Sequence, residues 1–214
     1  MSAVTLLSDA EALLVDLDGT LVDSAAPVER VWTAFAERHG LDPAAVQRYA
    51  QGRPSRETVR ALAPDSDLDA EAAAVEAAEI ADTGGVRPLP GAAALLEGGR
   101  RLAIVTSCST ALAIARLRAA RLPVPSVLIS SDGLERGKPD PACFLIAAQR
   151  LGVDPDRCVV LEDAPAGIRA GRDAGAKVIA LRTTHSDDEL GDADALADDI
   201  AALLDAQPPQ RAGL

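Results

Sequence analysis

The chain has 214 residues, 48% of them hydrophobic and 2% aromatic, and a formal net charge of -12 from 33 acidic and 21 basic residues. That length buries one sizeable core, or one core plus a modest inserted module. The acidic balance argues against nucleic acid and anionic membranes as partners, because both are bound through clustered Lys and Arg.

No apolar stretch reaches the roughly 18 residues that span a bilayer, and MSAVTLLSDAEA has no basic n-region before an apolar run. The expected location is therefore cytoplasmic. Cys108, Cys143 and Cys158 are odd in number and widely spaced, which suits neither a disulfide framework nor a zinc site, so free thiols are expected.

In chain order, ALLVDLD (12–18) reads as a strand buried on both faces, an apolar run without polar alternation. From about residue 27 to 83 the pattern is helical. VERVWTAFAERHG places Val28, Val31, Trp32 and Phe35 on one stripe, and segments rich in Ala and Glu follow. RPLPG (87–91) marks the return to the earlier pattern. There, RLAIVTS (101–107), SVLIS (126–130), CVVLED (158–163) and KVIALR (177–182) repeat the buried-strand signature. TALAIARLRAAR, PACFLIAAQRL, APAGIRAGRDAG and DDIAALLDA carry helical spacing, and AQPPQRAGL reads as a frayed tail. The alternation predicts an α/β fold, a Rossmann-like parallel sheet core flanked by helices, with sites at the carboxyl ends of its strands. The expected core is residues 1–24 and 86–214, and residues 25–85 form a small all-helical domain inserted into it.

The first strand ends in two aspartates separated by one residue. Side chains alternate along a strand, so Asp16 and Asp18 are expected on one side, where Gly19 lets the backbone turn. CVVLED delivers Glu162 and Asp163 to the same edge. Like charges about 4 Å apart repel by about 4 kcal/mol at an effective dielectric of 20, so four such carboxylates require a cation. Oxygen donors without His or Cys suit a hard ion, Mg2+. Thr106 and Ser107 lie between a strand and a helix, where a hydroxyl and backbone N–H groups hold phosphoryl oxygens. Lys138 in RGKPDP, one of two lysines, precedes a proline expected to open a helix and is suited to neutralise a phosphate and a carboxylate together. RHG (38–40) closes an amphipathic helix and does not follow the first strand, as a phosphohistidine enzyme would require. His185 in THSDDE has no partner in this reading and is taken as part of a solvated loop.

DLDGTLVDS, VTSCS, GKPDP and LEDAPAGIRAG, in this order over residues 16–171, resemble the four motifs of the haloacid dehalogenase superfamily. The helical insertion resembles that superfamily's small C1-type cap. VERVWTAFAERHGL, RPLPGA and EDAPAGI are similar to its bacterial sugar-phosphatase branch, related to 2-deoxyglucose-6-phosphate and glycerol phosphate phosphatases. The resemblance implies an Mg2+-dependent phosphatase of small phosphorylated metabolites, sugar or polyol phosphates first, working through an aspartyl-phosphate. Asp16 would be the nucleophile and Asp18 the acid and base. Thr106, Ser107 and Lys138 would hold the phosphoryl group. Asp16, Asp18 through its backbone carbonyl, Glu162 and Asp163 would hold the metal. Arg53 and Arg56, in QGRPSRETV, correspond to the cap's substrate-specificity segment. Cys108 stands where the family frequently carries Gly and is expected as a small buried thiol. Asp18 argues against dehalogenation, which needs no acid for an oxygen leaving group. The alternatives are a β-phosphoglucomutase-like phosphosugar mutase, disfavoured by Val28 where such enzymes carry a His, and a phosphatase of another small monoester such as phosphoglycolate. The expected assembly state is a monomer or weak dimer.

Overall fold

Every apolar run read as a strand becomes one, because each is too short and too uniformly apolar to serve anywhere but a sheet covered on both faces. The structure, a computed structural model, describes residues 1–50 and 53–206. α1 (Ala3–Asp9) precedes β1 (Ala12–Val15), and β2 (Val22–Asp23) leads into α2 (Ala25–His39), α3 (Pro43–Ala50), α4 (Ser55–Leu62) and α5 (Leu68–Ala81). Next come β3 (Arg87–Pro88), α6 (Ala92–Glu97), β4 (Leu102–Val105), α7 (Thr110–Ala119), β5 (Leu128–Ile129) and α8 (Ala142–Leu151). β6 (Cys158–Glu162), α9 (Pro165–Asp173), β7 (Lys177–Leu181), β8 (Ala195–Ala197) and α10 (Ile200–Asp205) follow.

Six strands pair in parallel in the order β5-β4-β1-β6-β7-β8. Counted along the chain this is the 3-2-1-4-5-6 order of a doubly wound sheet, in which ligands bind where the order reverses. That point lies between β1 and β6, whose last paired residues are Val15 and Leu161. β1, β4 and β6 are buried throughout. Leu13, Val15 and Ile104 pack on one face with Leu7, Leu95, Leu117 and Leu203 of α1, α6, α7 and α10. Leu14, Val105 and Val160 pack on the other with Phe144 of α8 and Ile168 of α9.

The helices α2 to α5 lie between β2 and β3, which pair antiparallel, Val22 opposite Pro88 and Asp23 opposite Arg87. The chain thus leaves and re-enters the α/β unit through a two-stranded ribbon. These helices surround their own apolar cluster, built on Val31, Trp32, Phe35, Val46, Val59 and Val75. Trp32 and Phe35 meet edge to face with ring centroids 5.2 Å apart.

Two features depart from the expectations. The ribbon, α1 and β8 are not among the predicted elements, since two to seven residues carry too little periodicity to recognise. α8 does not open at the proline after Lys138; it begins at Ala142, after a turn closed by the Asp140 N–H on Gly137 O (3.0 Å). The tail read from AQPPQRAGL lies, beyond Ala206, outside the described residues. Among the described residues no helix is long and apolar enough to cross a membrane.

Candidate active site

Asp16 is the residue after β1, buried at the switch point, and its N–H donates to Leu161 O of β6 at 3.0 Å. Lys138 enters from the loop before α8 and donates to Asp16 Oδ1 (2.5 Å), Glu162 Oε1 (2.7 Å) and Val105 O (3.0 Å). These acceptors match the three protons of an ammonium group. The other carboxylate oxygen of Glu162 accepts the N–H groups of Asp163 and Ala164, both at 2.8 Å, as the chain turns into α9. Gly167 on α9 makes room for that carboxylate, since a Cβ there would overlap Glu162 Oε1. Asp163 accepts hydrogen bonds from Thr20 (3.2 Å) and Thr184. Gly19, at φ 83°, turns the chain beside it, and a Cβ there would overlap Asp163 Oδ2.

One oxygen from each of Asp16, Glu162 and Asp163 lies within 4.8 Å of the other two, and all three residues are buried. Burial holds Asp16 protonated well above the ordinary carboxylate range, against the opposing pull of Lys138. Burial, and then the charge of Glu162, pushes Asp163 up to about 7. Burial favours neutral Lys138, yet Asp16 and Glu162 outweigh it and hold the ammonium charged. Three buried carboxylates share one ammonium, and ionising all three would leave negative charge uncompensated. The donor set, hard anionic oxygens alone, fits a divalent ion such as Mg2+.

Asp18 turns elsewhere. β1 stops at Val15, and the tight turn after it breaks the alternation that would place both aspartates on one side. Leu17 O accepts from Leu21 N (2.8 Å) and Val22 N (2.9 Å). Arg116 of α7 donates to Asp18 Oδ2, and Ser24 to Oδ1, both at 2.6 Å. The side chain of Asp18 is therefore not part of the acidic group, although the residue lines the same cavity.

That cavity, about 420 Å³, lies between the sheet's C-terminal edge and the inserted helices, and Asp16, Asp18, Thr106, Ser107, Lys138 and Asp163 all reach its wall. Thr106 Oγ1 accepts the N–H of Cys108 at 3.2 Å, shaping the loop between β4 and α7. Cys108 is only part-buried and lines the cavity; desolvation pushes its thiol up to about 12, so it stays neutral. Cys143 and Cys158 are free and buried, as expected.

From the insertion, Arg53 reaches the cavity, its guanidinium 4.7 Å over the ring of Tyr49. Gln51 and Gly52, which precede it in the segment singled out for specificity, lie outside the described residues. Arg56 is not on this wall. It sits on α4, half exposed, and pairs with Asp69 at 2.5 Å. His185 also departs from expectation: Nδ1 lies 2.9 Å from Asp163 O and 2.8 Å from Thr184 Oγ1, because the loop after β7 folds back over the end of β6.

Sequence reasoning missed Thr20 and Thr184, which reach Asp163 from loops remote from it in sequence, and also Arg116 and Glu79. The last two had a signal: each is a charge on the apolar stripe of a helix, Arg116 beside Leu112, Ala113 and Leu117, and Glu79 beside Ala72 and Val75.

A family model for haloacid dehalogenase-like hydrolases matches residues 10–175, a span holding every motif used above. The chain belongs to that family. Over 206 residues this hydrolase is 40% identical to hexitol phosphatase A of Escherichia coli, covering 93% of the chain and 95% of the relative. It is 32% identical to 2-deoxyglucose-6-phosphate phosphatase 1 of Saccharomyces cerevisiae, with 87% and 85% covered. Its fold matches the crystal structure of CbbY from Rhodobacter sphaeroides in complex with phosphate, with a TM-score of 0.78, 27% identity, and 91% and 96% covered.

Proposed function

We propose that this hydrolase is an Mg2+-dependent phosphatase of small phosphorylated metabolites, sugar or polyol phosphates first. In this reading residues 25–85 are a cap over a core of residues 1–24 and 86–214. The convergence of Asp16, Lys138, Glu162 and Asp163 at the sheet's switch point carries the reading, since side chains gathered on one cavity wall are suited to serve as nucleophile, cation for phosphate and metal ligands. Relatives named for hexitol and 2-deoxyglucose-6-phosphate support the leaving-group class. Val28 lines the cavity where a mutase would carry a His to delay hydrolysis, which favours water as the final acceptor.

Asp16 attacks phosphorus, forming an aspartyl-phosphate as the ester P–O bond breaks. Asp18 gives its proton to the leaving oxygen, then takes one from the water that splits the acyl phosphate and regenerates Asp16. Lys138, Thr106 and Ser107 stabilise the charge on the equatorial oxygens, which is where most catalysis of phosphoryl transfer arises. Asp16, Asp163 and the Asp18 carbonyl, with Glu162 in support, would hold Mg2+, whose bound charge neutralises phosphoryl oxygens.

A phosphate-release screen over phosphorylated sugars, polyols and phosphoglycolate, run with Mg2+ and with excess chelator, tests this. Metal-dependent release, highest with a sugar or polyol phosphate and abolished in Asp16→Asn, is expected. Full activity in chelator, or in that variant, would overturn it.

A further inference from the structure

Arg116 and Glu79 each sit where an apolar side chain would be expected, and an isolated charge buried there would be strongly destabilising. They meet each other. Nη2 of Arg116 donates to Glu79 Oε1 at 3.2 Å, with side-chain exposures of 6% and 5%. The same guanidinium grips Asp18 Oδ2 through Nη1 at 2.6 Å, while Ser55 at the start of α4 donates to Glu79 Oε2 at 3.1 Å. A continuous hydrogen-bonded chain thus runs from the inserted helices, through one arginine of the core, to Asp18.

We infer that Arg116 is a positioning residue: it fixes the orientation of the Asp18 carboxylate and, through Glu79, makes that orientation depend on the inserted helices being seated on the core. The inference rests on the proposed acid–base role of Asp18. Ser24 alone holds one oxygen of Asp18 and leaves the carboxylate free to rotate about that bond; Arg116 removes the freedom. A guanidinium suits the task because its planar fork serves two carboxylates at once, which a lysine's point charge does not reproduce. An exposed pair would contribute little, but Arg116 and Glu79 are both shielded from water, and only Asp18, with its side chain 28% exposed, faces the cavity. Withdrawal of α5 removes Glu79 from the fork and leaves Arg116 a single partner.

The test compares a hexitol phosphate, whose alkoxide needs a proton to leave, with the p-nitrophenolate burst from p-nitrophenyl phosphate, which needs none. Asp18→Asn is the reference and should slow the hexitol ester far more than the burst. Arg116→Met should show the same selectivity, lowering kcat on the hexitol ester about a hundredfold with KM little changed, as expected for a misplaced catalytic group. Arg116→Lys should recover only part of the loss. Because Arg116→Met strands a buried Glu79, the pair Arg116→Met with Glu79→Gln is measured beside it, and thermal melts establish that each variant is folded. Equal slowing of both substrates, unchanged hexitol turnover, or faster turnover from a released Asp18 would each overturn the inference while leaving the role of Asp18 intact. Failure of Asp18→Asn to separate the substrates would overturn the acid–base reading itself, and the inference with it.

Discussion

The ammonium of Lys138 lies 2.5 Å from Oδ1 of Asp16 and, on its other side, 2.7 Å from Glu162. The lysine therefore offsets part of the charge of the acidic group before any phosphate arrives, and in the proposed reaction its charge is shared with the incoming phosphoryl oxygens. Lys138→Met should lower kcat for phosphate release by about 10²- to 10³-fold, the usual cost of removing one donor that stabilises developing charge. The same change leaves three carboxylates with no internal cation. Melting-temperature shifts on adding Mg2+ should accordingly be as large as in the wild type or larger. Loss of the Mg2+ shift together with activity would make Lys138 a structural support instead.

The pH dependence of the metal-free protein follows from Asp163, which burial and then Glu162 push up to about 7. A carboxylate raised on folding binds its proton more tightly in the folded state, so its stabilising contribution is complete below the ordinary carboxylate range and lost as pH rises through about 7. Asp16 is displaced in the same direction. In chelator, the melting temperature should fall between about pH 5 and pH 8, the interval spanned by the raised value. Mg2+ reverses the cost by neutralising the ionised group, so its stabilising shift should grow over the same interval. A shift independent of pH would place the metal away from Asp163.

Gly167 opposes two effects of known size. Replacing a helical glycine by alanine ordinarily stabilises by about 0.5–1 kcal/mol through lost unfolded-state freedom. Here the added Cβ would overlap the Glu162 carboxylate, whose oxygens hold Lys138 and two N–H groups at the start of α9. Overpacking costs about 1–3 kcal/mol, so the clash outweighs the entropy gain. Gly167→Ala should be net destabilised in urea titrations, and its apparent Mg2+ affinity should weaken about 10- to 100-fold, the range for disturbing a supporting partner of a metal site. Stabilisation with unchanged Mg2+ affinity would show that Glu162 moves aside at no cost.

Legibility in the sequence followed the length of each signal. Runs such as CVVLED and LAIV are unbroken by polar residues, so buried strands and the carboxylates at their ends could be read directly, as could the helical stripe of Val31, Trp32 and Phe35. Period-two alternation failed just past β1, because Asp18 belongs to a turn and takes its direction from Arg116 and Ser24. Thr184 and His185 reach Asp163 only through the adjacency of β6 and β7, a pairing that local spacing does not encode. Arg116 and Glu79 were visible singly as interruptions of two stripes, but their meeting depends on how α5 packs against α7.

Arg53 and Arg56, three residues apart, have different surroundings, and the difference fixes what each substitution should do. Arg56 is half exposed and engaged with Asp69, a surface pair worth at most about 1 kcal/mol, so Arg56→Ala should leave substrate preference unaltered. Arg53 lines the cavity with its guanidinium stacked over Tyr49, which orients its donors at little further entropic cost. In the proposed reaction those donors meet hydroxyls of the leaving group, remote from phosphorus. Arg53→Ala should then lower kcat/KM for the best sugar or polyol phosphate by roughly ten- to a hundredfold, equivalent to about 1.4–2.8 kcal/mol. Hydrolysis of p-nitrophenyl phosphate, whose leaving group offers no hydroxyl to grip, should change much less. Tyr49→Ala should give a smaller loss of the same selectivity, since it frees the guanidinium without removing it. Equal losses on both substrates in Arg53→Ala would move that residue's role to the phosphate itself or to seating the inserted helices, and no loss on either would return it to the solvent.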